Sequence, residues 1–347
     1  MRGKTYQSYL WQKVLFLLVL LVILNIAIVF ALNAGSMKLG FWAVVKGILG
    51  KGPDALKTVI WEIRLPRVAG AVLAGIGLGL AGNVQQVLLK NPLASPFTLG
   101  ISQAAAFGAA FSIIVLGAGS YQTGAEAKIY YANRYLVSLT AFTFALITSL
   151  LVLWLGKVKK LAPEAIALAG VAIGSLWASG TTLLQYFADE LKLAAVVFWS
   201  FGDLGRLGLE EVRLLGVVIS LAFIYFYLNR WNYNTLITGE EGARSLGVDP
   251  NKIRFWGMLI SSGIAAVITS FCGIIGFIGL LAPHMVRRVI GNDQRFLLPG
   301  AALLGGVLLL LADTFARTVI SPVILPVGAV TSFLGAPLFL YLLLRGK

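Results

Sequence analysis

Long apolar runs separated by short polar gaps fill this chain. The runs cover Val14–Leu32, Val68–Leu89, Phe97–Leu116, Tyr135–Leu155, Ala165–Phe187, Val212–Leu228, Phe255–Ser270, Gly273–Leu281, Gly300–Ile320 and Pro326–Leu344. About 20 apolar residues in a helix cross the hydrocarbon of a bilayer. The pattern therefore predicts an all-α polytopic membrane protein with ten crossings, and Ala194–Phe201 reads as an additional half-span. A signal peptide is the rival reading of the first run. That run is too long for one, and no small-residue cleavage site follows it. The gap at 238–254, TGEEGARSLGVDPNKIR, has its own pattern. Glu240 and Glu241 open a small amphipathic helix, Arg244 sits within it, and Leu246, Gly247 and Val248 close it. Acids early and a base late suit the helix dipole, and Pro250 turns the chain out of helix at Asp249. An ordinary loop between two spans is one reading; a docking knob pushed by a soluble partner is the other.

Composition supports the membrane assignment. Of 347 residues, 59% are hydrophobic and 12% charged, about half the charged share of a soluble domain. One transmembrane domain over 1–347 accounts for the chain, with no room for a sizeable soluble domain. The net charge of +14 falls in the gaps between runs rather than on one polar face, so membrane topology explains it and nucleic acid does not. With both termini in the cytoplasm, Lys157, Lys159, Lys160, Arg230, Arg244, Arg287 and Arg288 lie inside. Arg64, Arg67 and Arg317 lie outside, where bases are less expected. Either the rule, being statistical, does not hold at these positions, or the bases meet an acidic partner.

Candidate chemistry is sparse. Gly77, Gly79 and Gly82 spell GxGxxG, but inside an apolar run with no preceding strand, so close helix packing is the better account. The single histidine, His284, has no companions at metal spacing, and Cys272 stands alone. No metal site and no catalytic residue is expected. There is no GxxxxGK[ST] phosphate loop, so the chain cannot split ATP unaided. An ion-driven carrier usually carries carboxylates along its path. Here the centres of the runs have none, although Asp313 and Arg317 are spaced to pair on one helix. Ser175, Ser179, Thr182 and Gln185 dot the fifth run and are pathway candidates. The result is a pore that needs free energy from elsewhere. A secondary carrier acting alone is the alternative.

The ordered motifs then carry a resemblance: Arg64-Leu65-Pro66-Arg67, Asn91-Pro92-Leu93-Ala94, Gly276-Phe277-Ile278-Gly279-Leu280, Pro283-His284, Leu297-Leu298-Pro299-Gly300, Ala312-Asp313, and Leu325-Pro326-Val327-Gly328. From roughly Arg64 to Leu344 the chain resembles the FecCD family of type II ABC importer permeases. That resemblance implies a ten-span subunit in the cell membrane, paired with a second copy of itself as a homodimer around the path. It implies two copies of a cytoplasmic ABC ATPase, which bind ATP and Mg, and one extracytoplasmic substrate-binding protein; no cofactor is expected on this chain. It also implies roles for residues. Glu240, Glu241, Ala243, Arg244, Ser245, Leu246 and Gly247 would couple to the ATPase. Arg64, Arg67 and Arg317 would dock the binding protein. Ala162, Pro163 and Glu164 fall where the family forms an inner gate. The cargo class is iron-siderophore, haem, cobalamin or an oxyanion such as molybdate.

Overall fold

The computed structural model describes residues 6–35, 39–121, 130–131, 133–159 and 162–344. Lys160, Leu161 and the charged ends Arg2, Lys4, Arg345 and Lys347 lie outside the described residues. Among the described residues, seven helices are long and apolar enough to cross a membrane. They are α1 (Tyr6–Asn33), α4 (Leu65–Leu88) joined to its leader, α6 (Arg134–Val158), α7 (Pro163–Tyr186), α9 (Leu209–Leu228), α12 (Pro250–Cys272) and α14 (Gln294–Thr318). Between these lie α2 (Phe41–Ile48), α3 (Asp54–Thr58), α5 (Ile101–Ile114), α8 (Glu190–Ser200), α10 (Arg230–Ile237), α11 (Glu240–Ser245) and α13 (Ile278–Ile290), and α15 (Val327–Leu344) follows. One antiparallel pair of two-residue strands, Ser120–Tyr121 with Tyr130–Tyr131, precedes α6.

Seven of the ten predicted runs are full-length helices, and the other three take different forms. The third run is helical only over Ile101–Ile114, because Gly100 enters the helix in the left-handed region at φ 77°. Fourteen residues reach about 21 Å, short of the roughly 30 Å hydrocarbon core. The eighth run is corrected outright. Gly273–Phe277 is not helical, and α13 starts at Ile278 and runs on through Pro283, His284 and Arg287 to Ile290. The expected inner segment 283–299 thus shrinks to a short turn before α14. Irregular backbone at membrane depth is tolerated where protein covers it, and Gly273, Ile275 and Gly276 are buried. The tenth run is the shorter helix α15. The mixed stretch before the second run is also more regular than expected. Asp54–Leu88 is one continuous helix, with a π-helical insertion at Val59–Arg64.

Small residues set the packing at the centre. In lipid, helices gain little from burying apolar side chains against each other, so close backbone approach matters more. Gly75 and Gly79 of α4 lie against the backbone of Gly305 and Ala301 on α14, and Gly82 lies against Gly279 on α13; a Cβ on any of them would collide with a carbonyl oxygen. The GxGxxG letters therefore serve packing, as expected.

The chain directions define two ends. Leu65, Thr318, Leu209 and Cys272 lie toward one, which also holds the start of α6. Leu88, Gln294, Leu228 and Pro250 lie toward the other, which carries α10 and α11.

Candidate functional site

The knob predicted at 238–254 is a two-helix protrusion. Its tip, α11, covers six residues, Glu240–Ser245. Gly247 adopts φ 79°, and two bonds close the helix: Val248 N–H to the Ala243 carbonyl at 2.9 Å and Gly247 N–H to the Arg244 carbonyl at 3.0 Å. This is a Schellman ending, which needs a left-handed residue and so favours glycine. Asp249 then caps α12, accepting from Asn251 N–H at 2.9 Å, with Pro250 at the first helical position. Ala243 is fully buried and seats the helix, whereas Glu241, Arg244, Ser245, Leu246 and Gly247 are exposed. Leu246 is an apolar side chain at the tip, 67% exposed.

Sequence reasoning missed what holds the knob. Arg254, 1% exposed, donates to Glu240 Oε1 at 2.7 Å through Nη2 and to the Leu88 carbonyl at 3.1 Å through Nε. One guanidinium thus joins the tip to the last turn of α4 and to the base of α12. The Arg254 hydrogen bond holds the Glu240 carboxyl below the usual carboxylate range, with Lys90 and Arg244 adding to the effect. Further polar bonds join the same end of α4 to its neighbours. Gln86 on α4 accepts from Arg287 of α13 at 2.9 Å. Asn83 donates to Gln294 at 2.8 Å, and the Gln294 N–H donates to Asn234 of α10 at 2.8 Å. Asp293 accepts from Asn234 at 3.2 Å and pairs with Lys13 at 3.9 Å. Burial pushes the Asp293 carboxyl up, but bonds from Arg295 and Asn234 outweigh it and the net direction is down. The signal was present in the sequence: Asn83, Gln85 and Gln86 interrupt an apolar run.

At the opposite end the three arginines turn inward. Arg64, Arg67 and Arg317 are 5%, 7% and 8% exposed. Asp313, fully buried, takes Arg67 Nη2 at 2.9 Å and Arg317 Nε at 2.9 Å. Arg67 also reaches Asp203 at 3.6 Å. Arg317 donates to the carbonyls of Ala31 and Ala34, both at 3.3 Å, and Arg64 donates to those of Leu32 and Asn33. The predicted Asp313–Arg317 pair exists and is one half of a larger cluster that ties α1, α4 and α14 together.

On α7, Ser175, Ser179 and Thr182 are exposed and fall on one stripe at helical spacing. Ser175 and Thr182 bond their own helix at the Val171 and Ala178 carbonyls. Gln185 is half-buried one turn further on. Of the gate candidates, Ala162 and Pro163 are half-buried and Glu164 is exposed at the start of α7. His284 packs 6.0 Å from the Phe339 ring, and neither ring nitrogen has a hydrogen-bond partner among the described residues.

A sequence profile described as the FecCD transport family matches residues 13–345. A Methanocaldococcus jannaschii protein, provisionally named an ABC transporter permease, is 51% identical over 98% of this chain and 97% of its own length. The Fe(3+)-citrate import system permease of Bacillus subtilis is 34% identical over 96% of this chain and 95% of its own. The haemin transport system permease of Yersinia pestis is 36% identical, covering 96% of this chain and 95% of its own. Among solved structures, an inward-facing transporter provisionally assigned to the metal-chelate ABC type superposes with a TM-score of 0.82 at 29% identity, over 95% of this chain and 99% of that one.

Proposed function

This chain belongs to the FecCD transport family, a family of multi-pass ABC transporter permeases, and we propose that it is the permease subunit of an importer that carries a metal chelate or an oxyanion inward. Iron-siderophore, haem and cobalamin are the chelate classes, and molybdate represents the oxyanions. The energy comes from a partner ATPase that binds ATP and Mg, two copies per transporter. Two copies of this chain form the path, with the Ser175–Ser179–Thr182 stripe and Gln185 lining it and 162–164 narrowing it on the cytoplasmic side. Both termini are cytoplasmic in this arrangement. An extracytoplasmic binding protein delivers cargo to the end braced by Arg64, Arg67 and Arg317.

The observation that carries the proposal is the α11 knob. It presents Glu241, Arg244 and Leu246 to solvent while Arg254 fastens its base to α4 and α12. A force applied at the tip passes through a short charged bond rather than a floppy loop. That is the mechanical requirement for a pore with no phosphate loop of its own. The test is transport in proteoliposomes with and without the ATPase. Uptake that needs hydrolysis, and that is lost in Leu246→Asp, supports the proposal. Uptake in ATPase-free liposomes driven by an ion gradient alone would establish a secondary carrier instead.

A further inference from the structure

A groove remains that neither the coupling knob nor the α7 stripe uses. Helices α6 and α9 both pack on α12 but leave an open trough between them. It consists of two cavities that share Phe142 and Val267. The one nearer the Arg134 end holds 450 Å³ and runs from Tyr135 past Leu139 and Leu214 to Val267. The deeper one holds 370 Å³ and is walled by Leu221, Tyr225 and Ile260. The lining of both is almost wholly apolar. At the Arg134 end, Tyr135, Ser138, Ser270 and Phe271 also line a third, 40 Å³ chamber, which brings in Arg134, Arg206 and Glu211. A polar mouth thus opens directly onto a long apolar trough.

The charges at that mouth specify an occupant. Glu210 and Glu211 both act on Arg134, so it takes Arg134, Arg206 and Arg213 together to leave one positive charge at this end. Glu211, 7% exposed at its side chain, pairs with Arg134 at 3.2 Å, and Arg134 also donates to the Tyr135 hydroxyl at 2.9 Å. Arg206 is oriented by the Phe198 carbonyl at 2.7 Å. Arg134 itself remains 56% exposed, and a guanidinium has five donors in a fixed fork. Arg213, one turn beyond Leu209 on α9, is exposed on the same face as Val217 and Leu221. Its long side chain can place its charge at the membrane interface. The chamber is too small to enclose a headgroup, so a phosphate would sit on its rim against Arg134.

We propose that the α6–α9–α12 trough is a seat for one membrane lipid with a monoanionic phosphodiester headgroup, its phosphate on Arg134 and its chains along Phe142 and Val267. A lipid fits better than a protein segment because the charge lies only at one end and the rest is apolar along the membrane depth. Gly263 supplies a clean probe: it lines the deeper cavity, and a Cβ there meets nothing within 4 Å. Gly263→Phe therefore fills the trough without displacing α12.

The experiment reconstitutes the full chain in bilayers of equal phosphatidylglycerol and phosphatidylcholine, then counts retained lipids by native mass spectrometry. Wild type keeps one phosphatidylglycerol per chain in roughly tenfold preference, because both lipids offer Arg134 a phosphate but only phosphatidylcholine brings a cation to the positive end of the trough. Arg134→Gln keeps a lipid but loses the preference. Gly263→Phe loses both lipids while its circular dichroism and elution volume stay those of wild type. Equal retention of the two lipids by wild type, or undiminished retention in Gly263→Phe, overturns the proposal. So does a Gly263→Phe chain that folds but changes oligomeric state, since that would place a second copy in the trough.

Discussion

Replacing Glu240 loosens the knob by an amount that can be worked out. Arg254 is 1% exposed and points one N–H at Glu240 and another at the Leu88 carbonyl. Removing the carboxylate takes the charged acceptor away from a buried cation that still has the Leu88 carbonyl. A hydrogen bond to a charged group contributes about 1.5–3 kcal/mol. Glu240 is 34% exposed at its side chain, so water replaces part of the loss and the lower half of that range applies. Glu240→Ala should then favour the undocked tip by roughly 10- to 40-fold, at about 1.4 kcal/mol per factor of ten. Glu240→Gln keeps an acceptor oxygen without the charge and loses about 1 kcal/mol, roughly fivefold. Hydrogen exchange reads this directly, because local opening exposes the Gly247 and Val248 amides that close α11. Their exchange should speed up in the order wild type, Gln, Ala. Adding Arg254→Met to Glu240→Ala should restore part of the protection, since no buried charge is then left unpaired. Identical exchange in wild type and Glu240→Ala, or faster exchange in the double variant, would refute the fastening role of Arg254.

The same pair sets a pH dependence. The Glu240 carboxyl is depressed by its Arg254 bond, so its contribution is complete above the ordinary carboxylate range and fades as pH falls through the lowered value; α11 exchange protection should follow that course in wild type and stay flat in Glu240→Gln. At the opposite end, Asp313→Asn leaves Arg67 and Arg317 buried with one half-exposed carboxylate, Asp203, between them. It should destabilise the chain by about 3–5 kcal/mol in a reversible detergent-unfolding titration, and Arg317→Gln added to it should recover part of that loss; an additive further loss would exclude charge imbalance as the cause. Gly79→Leu should fail to reach wild-type stability in the same titration, because its side chain meets the Ala301 carbonyl. In the assembled transporter, Arg244→Glu should uncouple ATP hydrolysis from uptake while the isolated chain melts as wild type does; normal coupled uptake would remove the knob from the coupling path.

The hydropathy pattern alone determined that this is an all-helical membrane protein and located seven of its long helices. It did so because a bilayer imposes one solvent and one length on every crossing. It also located the knob, since Gly247, Asp249 and Pro250 act on their own backbone within a few residues. The helix breaks were less legible. Gly100 stops α5 short and Gly273–Phe277 interrupts the eighth run, yet both stretches are as apolar as a helix. A hydropathy reading registers apolarity and does not register backbone dihedrals. Apart from the Asp313–Arg317 spacing, the partners of charged residues were not legible. Arg67 and Asp313 are 246 positions apart, and Arg254 and Leu88 are 166 apart. Arg64, Arg67 and Arg317 looked like bases presented to a partner, because sequence gives a residue its charge and its helix but not its azimuth against neighbouring helices. Only the packing of α4 on α14, drawn together by glycine-to-carbonyl contacts, decided that Arg67 and Arg317 share a buried carboxylate.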